Sequence, residues 1–466
     1  MKTIINENPD LLNIYDIKTR HDALNKEYGL TKDTIEKISK SKNEPAWVLD
    51  FRLKALDLYY KLDNPNWGPD ISYLDINQIA TYVKPNSKEN KSWDDVPEEI
   101  KNVFDKLGIP ESEKEAMAGV GAQFDSEMVY HNLSLKLKQD GVIYCNFDHA
   151  LTLYPDLINK YFSKIVPINN HKYIALHYAL FSGGSFIYIP KGIKMTLPLQ
   201  SYFRLNEKGA GQFEHTLIIV DDDASLEFIE GCSAPGYNAL NLHAGCVELY
   251  VGKNASLKFS TIENWYKNML NLNTKKCLVE ENGKIEWIMG SFGSKVSMLY
   301  PMTVLNGYNA KALYTTLSFA GAGQNLDSGI KVIHNAPNTS LVVNSKSISK
   351  DGGICTFRSN VIAGKKASNS SIAISCESLM LDSISRSDTI PVSDITNSTV
   401  TFSHEASVGK ISEEQIYYLM TRGLKEEDAK ALIVSGFAEP IAKLFPVEYA
   451  VEMNRLINME LEGTIG

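Results

Sequence analysis

The residues best suited to chemistry are two thiols with polar or charged residues at matching distances along the chain. Cys376 comes 28 residues before His404, which Glu405 follows, and Cys232 comes 28 residues after Arg204. Thiolate is a soft ligand that suits iron and sulfide, and imidazole also binds iron. A neighbouring imidazolium or guanidinium group would lower the pKa of a thiol and favour nucleophilic or persulfide chemistry. These residues therefore indicate metal–sulfur chemistry, provided that the fold brings them together.

A repeat between residues 200 and 405 would position these groups. Each of its seven units has an Asn or Asp, small residues and then alternating apolar residues, of which the first are Leu226, Leu257, Ile285, Leu313, Leu341, Ile372 and Val400. These anchors recur every 28 or 31 residues. Asx residues suit the turn before each strand because they tolerate left-handed φ angles. The period predicts a stacked solenoid, best matched by a parallel β-helix. The alternative is a meander sandwich, whose hairpins need not keep one phase.

In a solenoid, residues at the same position of successive repeats become neighbours in space. Residues of equal phase in consecutive coils stack about 4.8 Å apart. Cys376 and His404 each lie four residues after their anchors, so we expect them to be direct neighbours. Arg204 and Cys232 should stack in the same way. In the earlier coils, the phase of Cys376 is occupied by Glu230, Thr261, Met289, Leu317 and Ser345.

Spacing alone leaves other interpretations open. Cys376 could be a small buried apolar residue, and His404 a satisfied coil residue, because cysteine is commonly buried without function. A Cys–His nucleophile for hydrolysis is less favoured, since no oxyanion-hole motif accompanies the pair. A carbohydrate-active β-helix enzyme or lectin needs paired carboxylates, and the strands carry no repeated acidic pair. The sequence lacks GxxxxGK[ST], GxGxxG, HExxH and GxSxG, so we expect no ATP binding through a P-loop.

Helical sequence flanks the repeat. Region 1–130 is predicted to be mostly helical, with helices over 31–40 and 51–62 and a polar loop over 85–93. Region 131–199 is a mixed α/β lead-in to a β-helix core over 200–409. In region 410–466, Ser412 and Gln415 form a capping box, Gly423 ends the first helix, and helices follow over 426–434 and 447–461. These terminal helices either cap the core or dock a partner.

The composition and charge of the chain indicate which cellular compartment and which classes of partner to expect. The net charge is −9 and no basic tract occurs, so neither nucleic acid nor an anionic membrane is an expected partner. No apolar run approaches the ~20 residues of a membrane helix, and 173–181 is predicted core. The six cysteines form no CxxC pair, which favours free thiols in a reducing compartment. The polar, acidic start resembles neither a signal nor a transit peptide, so we expect the protein to work where it is made.

A series of short segments runs in order along nearly the whole chain: Lys42–Pro45, Gly184–Gly192, Tyr202–Asn206, Gln212–Glu214, Glu230–Pro235, Leu242–Ala244, Asn264–Tyr266, Ser375–Ser378, His404–Ala406 and Leu461–Gly463. One such segment would be a weak signal. Together they resemble SufB, the scaffold branch of the SufB/SufD family in the SUF system of iron–sulfur cluster assembly. The resemblance implies a right-handed parallel β-helix core with N-terminal and C-terminal helical regions.

The resemblance also implies roles for individual residues. Cys232 would receive persulfide sulfur from a cysteine desulfurase and its sulfur carrier. The sulfur would then pass through the β-helix interior along a path of polar residues, namely Arg204, Asn206, Glu214 and Lys275. Cys376 would hold the nascent, transient iron–sulfur cluster, with His404 and Glu405 as further metal ligands.

By the same resemblance, the protein is a scaffold and not an enzyme. A SufC-type ATPase would bind the C-terminal helices, and a SufD-type paralogue, or a second copy as a homodimer, would pair through the β-helix. Apo iron–sulfur proteins would receive the cluster. Whether a reduced flavin takes part is left open. The bacterial cytoplasm and the stroma of a plastid-like organelle both fit.

Several positions depart from the SufB pattern. Ser403 stands where an acidic residue usually precedes the histidine, and Glu263 replaces a usual Gln before Asn264. The stretch after Tyr266 is also shortened. The main alternative is a SufD-like structural subunit without its own cluster, and the segments around both thiols argue against it.

Overall fold

A parallel β-helix with helical ends forms the body of the protein, which confirms the predicted fold class. The computed structural model describes residues 23–106, 117–445 and 447–462. Strands make up 41% of it, and the solenoid has about 8 turns. The first residues of the predicted region 1–130, and Gly463 of the Leu461–Gly463 segment, lie outside the described residues.

The helices lie mainly before and after the solenoid. They are α1 (Lys32–Lys42), α2 (Ala46–Lys61), α3 (Glu98–Lys106), α4 (Leu135–Gln139), α5 (Phe147–Leu153), α6 (Pro155–Tyr161), α7 (Lys172–Leu180), α8 (Glu413–Thr421), α9 (Glu426–Ala442) and α10 (Val447–Glu462). Short 3-10 turns span Ile76–Gln78 and Trp93–Asp95. None of the helices in the described part of the chain is both long and apolar enough to span a bilayer.

The strands before the first full coil are β1 (Asn25–Tyr28), β2 (Ala80–Lys84), β3 (Gly119–Phe124), β4 (Glu127–Leu133), β5 (Ile143–Asn146), β6 (Ser185–Ile189), β7 (Leu199–Arg204), β8 (Gly211–Gln212) and β9 (His215–Val220). The coils continue with β10 (Ser225–Ser233), β11 (Asn241–His243), β12 (Cys246–Val251), β13 (Ser256–Trp265), β14 (Met269–Asn271), β15 (Thr274–Val279), β16 (Lys284–Gly293), β17 (Val296–Leu299) and β18 (Met302–Leu305). The last coils contain β19 (Lys311–Ala320), β20 (Asn325–His334), β21 (Ser340–Ser349), β22 (Ile354–Ala363), β23 (Ser371–Met380), β24 (Arg386–Ile395) and β25 (Thr401–Lys410).

Two long sheets enclose the interior of the β-helix. Sheet I runs in the order β25-β23-β21-β19-β16-β13-β10-β7-β3-β4. Sheet II contains the remaining coil strands and ends with β20, β22 and β24. Consecutive coils pair in parallel, whereas β3–β4 and β5–β6 are antiparallel pairs at the start of the solenoid. The last coil has one neighbour on each sheet, because β25 pairs with β23 and β24 pairs with β22.

A ladder of Asx residues lies in the turns before six of the sheet I strands, β10, β13, β16, β19, β21 and β23. The residues Asp223, Asn254, Asn282, Asn309, Asn338 and Asn369 all have φ between 54° and 60°. The Asn282 side-chain amide donates to the Asn254 oxygen at 3.1 Å, and Asn309 donates to Asn282 at 2.9 Å. The predicted role of these residues in left-handed turns is therefore confirmed for six units of the seven.

Two predicted anchors were wrong. Ile285 pairs with Ala312, so Ala312 and not Leu313 is the inward anchor of that coil. Ile372 pairs with Phe402 and not with Val400. In the first case the anchor is too small to stand out in the sequence. In the second, the final turn contains two additional residues, and its Asn397 lacks a positive φ.

Helices cover the outer faces of both sheets. α7 is buried along its length, which confirms residues 173–181 as core, and it packs with α2 over sheet II. Val434 of α9 and Met453 of α10 join Ile262 and Ile288 in an apolar cluster on sheet I. The predicted helices over 31–40, 51–62, 426–434 and 447–461 are confirmed, and α9 continues to Ala442.

Candidate functional site

Cys232 lies in the interior of the β-helix, at the end of a strand that changes from apolar to polar. In β10, the alternation that turns Leu226 and Phe228 inward also turns Glu230 and Cys232 inward. Cys232 is only 1% exposed. Burial raises the pKa of its thiol well above the ordinary value, and the nearby carboxylates raise it further, whereas Lys275 lowers it. The resting thiol is therefore neutral.

A buried lysine links the two sides of the coil near Cys232. The Lys275 ammonium lies 2.6 Å from Glu230 Oε1 and 3.5 Å from Glu263 Oε1, and all three side chains are at most 1% exposed. Burial alone would lower the pKa of Lys275, but the Glu230 and Glu263 carboxylates raise it overall. A charged lysine in a dry interior therefore depends on these two carboxylates.

His243 extends the polar network to Glu214. Its Nε2 lies 2.5 Å from Glu214 Oε1, and its Nδ1 lies 2.7 Å from Asn271 Oδ1. The Asn271 amide donates to Glu263 Oε2 at 2.6 Å. Burial opposes charge on His243, but the Glu214 carboxylate and the two hydrogen bonds raise its pKa above the usual value. The result is a continuous, buried series of hydrogen bonds and ion pairs that runs from Glu214 to Glu230.

Sequence reasoning included Glu214 and Lys275 in this network but did not assign His243 and Asn271 to it. The signal that could have found them is strand register, because Gln212, His243, Asn271 and Ser297 occupy matching positions in four consecutive short strands. These strands are only two to four residues long, so their alternation does not stand out as a repeat.

Arg204 ends β7, and Asn206 follows it; the Arg204 side chain leaves the face of sheet I opposite to the one that carries Cys232. The prediction that Arg204 stacks on Cys232 was wrong: Cys232 pairs with Phe203, and Arg204 pairs with Ser233. The connection is one residue longer than assumed, so the guanidinium instead donates to Ser233 Oγ at 2.9 Å. The Asn206 backbone N–H donates to the Asp125 carboxylate at 2.6 Å.

Cys376 and His404 meet near the C-terminal end of the solenoid. Their predicted direct stacking was wrong, because Cys376 pairs with Ala406 and His404 pairs with Ile374. The side chains still meet diagonally, with Cys376 Sγ 3.7 Å from His404 Nε2. Cys376 is 3% exposed, and burial raises the pKa of its thiol to about 12.

Glu405 does not join Cys376 and His404 inside the coil. It follows His404 in β25 and pairs with Ser375, so its side chain leaves the opposite face of the sheet. The residue is exposed on the last coil. Within this chain alone, the inward-facing metal donors at this end are therefore the thiol and the imidazole.

A column of side chains connects the two ends. In sheet I, consecutive register partners are Glu230, Thr261, Met289, Thr316, Ser345 and Cys376. Thr316, and not the predicted Leu317, belongs to this column, because the anchor of that coil is Ala312. Five inter-strand steps separate Glu230 from Cys376, a distance of about 24 Å. Thr316 donates to Ser345 at 2.9 Å, next to Cys376 in the column.

Comparison with known sequences gives a consistent result along the chain. The family profile described as "SUF system FeS cluster assembly, SufBD core domain" matches residues 203–437. A second profile, described as "SufBD protein N-terminal region", matches residues 48–201.

Curated relatives match over most of their length. An iron-sulfur cluster assembly SufBD family protein of Staphylococcus epidermidis is 51% identical over 440 residues, which is 94% of this chain and 95% of the relative. A protein of the same description from Staphylococcus aureus is 52% identical over the same shares of both chains.

Proposed function

Because the chain belongs to the SufBD family of iron–sulfur cluster assembly proteins, we propose that it is the SufB-type scaffold on which a cluster is built. The observation that carries the proposal is the inward column from Glu230 to Cys376, which has Cys376 at one end and Cys232 two residues along the strand from the other. Burying these charged and polar side chains costs desolvation free energy, and a purely structural paralogue would have no need for them. The family match also favours cluster assembly over a carbohydrate-binding β-helix.

Sulfur would enter at Cys232. Its thiol attacks the terminal sulfur of a donor persulfide, and the donor leaves as a thiol, so the chain holds Cys232–S–SH with no net oxidation. Lys275 next to the site favours the anionic form of the sulfur species, against the effect of burial and the carboxylates. A desulfurase with its sulfur carrier would supply the persulfide.

The path from Cys232 would follow the buried side chains of the interior. Glu214, His243, Glu263 and Lys275 form a continuous set of proton donors and acceptors. Such a set can stabilise an anionic sulfur species and exchange protons with it. The resemblance would add Arg204 and Asn206 to this path, although the Arg204 guanidinium donates to Ser233 on the opposite face of the strand from Cys232.

The cluster would form at Cys376 and His404. A thiolate and an imidazole are suitable iron ligands, but two donors do not complete a cluster site. The exposed last coil offers the remaining positions to a partner, and Glu405 faces outward from it. We therefore propose that a SufD-type paralogue, or a second copy of the chain, pairs with the free edge of β24 and β25 and completes the site.

The C-terminal helices would bind the SufC-type ATPase. α9 and α10 cover sheet I, but α8 leaves Tyr417 69% exposed and Tyr418 56% exposed, with Met420 and Leu432 nearby in sequence and also exposed. Exposed aromatic and Met side chains are typical of protein interfaces. ATP hydrolysis by this partner would open the last coil and expose Cys376 to iron and to apo-proteins.

The test is anaerobic reconstitution of the full chain, alone and with its partners, with Fe²⁺ and sulfide, followed by visible absorption and Mössbauer spectroscopy. Cys376→Ala should abolish cluster formation and leave the complex intact. Cys355→Ala is the matched control, because Cys355 is equally buried on sheet II and lies outside the Cys376 column. Runs with and without reduced flavin show whether a flavin is needed. Normal cluster yield in Cys376→Ala, or no cluster in wild type, would favour the SufD-like alternative.

A further inference from the structure

A second group of possible metal ligands lies outside the interior, between α7 and the outer face of sheet II. It comprises His177 of α7, His215 of β9 and Cys246 of β12, and their donor atoms all lie within 4.8 Å of one another. All three residues are fully buried. In β12, Val247 faces the interior and Cys246 faces outward, so this group is separate from the proposed sulfur path.

The hydrogen bonds of the two histidines constrain where their protons lie. His177 Nδ1 lies 2.8 Å from the carbonyl oxygen of Ala244, which can only accept, so Nδ1 carries the proton of the neutral ring. Its Nε2 therefore presents a lone pair, and this atom lies 3.0 Å from His215 Nδ1. Burial keeps both rings neutral: it lowers the pKa of His215 to about 3 and that of His177 well below its usual value.

Glu248 lies next to His215. Its carboxyl group accepts hydrogen bonds from the backbone N–H groups of Ser163, Ile165 and Val166, but burial outweighs them and raises its pKa to about 7. His215 Nε2 lies 3.3 Å from Glu248 Oε2, close enough for attraction although not aligned for a hydrogen bond. The tautomer of His215 with its proton on Nε2 places that proton on the side of Glu248 and leaves a lone pair on Nδ1.

In that state two imidazole lone pairs face each other at 3.0 Å, with a thiol beside them. A cation between the nitrogens removes the repulsion. Zn²⁺ binds imidazole nitrogen at about 2.0–2.1 Å and thiolate at about 2.3 Å, so a tetrahedral site needs nitrogens roughly 3.3 Å apart. The observed separation requires an expansion of only about 0.3 Å on that geometry.

We propose that His177, His215 and Cys246 bind a single borderline transition-metal ion, of which Zn²⁺ is the best match. Two imidazoles and a thiolate suit this class of ion. In each histidine, the ring nitrogen that would not bind the metal faces a carbonyl oxygen or a carboxyl group. Metal-bound histidines usually have such a hydrogen-bond acceptor at their second nitrogen. Binding displaces the Cys246 proton to solvent. One Zn²⁺, one thiolate and the Glu248 carboxylate then sum to zero charge in a dry site. The ion would fasten α7 to two coils of sheet II.

Metal analysis and cobalt substitution test this proposal on the intact chain. Wild type, desalted after purification, should retain one equivalent of zinc. Co²⁺ in its place should give tetrahedral ligand-field bands and a thiolate-to-cobalt charge-transfer band. Cys246→Ala should lose the charge-transfer band, whereas Cys277→Ala, a buried thiol on the neighbouring strand, should keep it. Glu248→Gln should weaken zinc binding by about 10–100-fold.

The competing arrangement has a definite signature. If the proton of His215 lies on Nδ1, that atom can donate to His177 Nε2, and the pair is satisfied without a metal. Wild type would then take up neither Zn²⁺ nor Co²⁺, and the proposal would be overturned. A charge-transfer band that survives in Cys246→Ala would also overturn it. Because the wild-type spectrum is informative by itself, a variant that fails to fold does not prevent a decision.

Discussion

Replacing Lys275 by Met tests the energetics of the interior directly. The substitution keeps the length of the side chain and removes its charge, so Glu230 and Glu263 lose their common cation. Breaking a buried ion pair by removing one partner costs about 3–5 kcal/mol of unfolding free energy. We expect a loss in this range, because Lys275 and both carboxylates are at most 1% exposed and solvent screening is weak.

The pH dependence of this loss follows from the carboxylates. Burial already raises the pKa of Glu230, although Lys275 lowers it, and removal of Lys275 raises it further. A carboxyl group whose folded-state pKa is raised contributes stability at low pH that is lost as the pH rises through that pKa. The deficit of Lys275→Met relative to wild type should therefore grow from mildly acidic to mildly alkaline buffer.

Urea unfolding followed by the fluorescence of the buried Trp265 and Trp287 measures these changes. Lys276→Met is the matched control, since the Lys276 side chain points to the outer face of the same strand, and its effect should stay within about 0.5 kcal/mol. The double variant Lys275→Met/Glu230→Gln should be about 1–3 kcal/mol more stable than additivity predicts. A Lys275→Met protein within about 0.5 kcal/mol of wild type at all pH values would refute the reasoning.

Three further predictions concern other parts of the molecule. Asn282→Ala should lower the unfolding free energy by about 1–2 kcal/mol in urea, and Asn282→Gly should lower it less, because the φ of 55° is strained for alanine; equal losses would contradict this. Burial raises the pKa of Asp125 to about 7, against the backbone hydrogen bonds, so its contribution to stability is lost as the pH rises towards 7, and Asp125→Asn should flatten that part of the pH profile. Cys232→Ala should block cluster assembly from a persulfide donor but not from added sulfide, and failure of sulfide to rescue assembly would exclude a role in sulfur entry.

The solenoid could be predicted because its period arises from local chemistry. Each Asx turn needs a residue that tolerates positive φ, and the apolar anchor follows three residues later. The same rule would have corrected one error, since Ala312 also comes three residues after Asn309. The shift at Phe402 could not be predicted in this way, because the final turn has a different length and no left-handed Asn.

The site residues were predictable to the extent that they follow that period. Cys376 and His404 were placed in contact, but through the wrong register. His177 and His215 could not be brought together from the sequence, because one lies on a helix and the other on a strand, and their contact depends on how α7 packs against sheet II. Such contacts between elements of different period leave no signal in the spacing of residues.

The burial of Cys376 has a consequence for how a cluster could form there. With 3% exposure Cys376 is shielded from solvent while the coil is closed, and burial raises the pKa of its thiol to about 12. The strands that cover it, β24 and β25, each pair with a single neighbour, and most of their residues are exposed. Strands with few buried contacts open at lower free energy than those inside a stack. The end of the solenoid is thus the least costly place to expose a thiol, whereas Cys232 is held between coils on both sides. This asymmetry fits sulfur entry at the rigid interior and cluster assembly at the movable end.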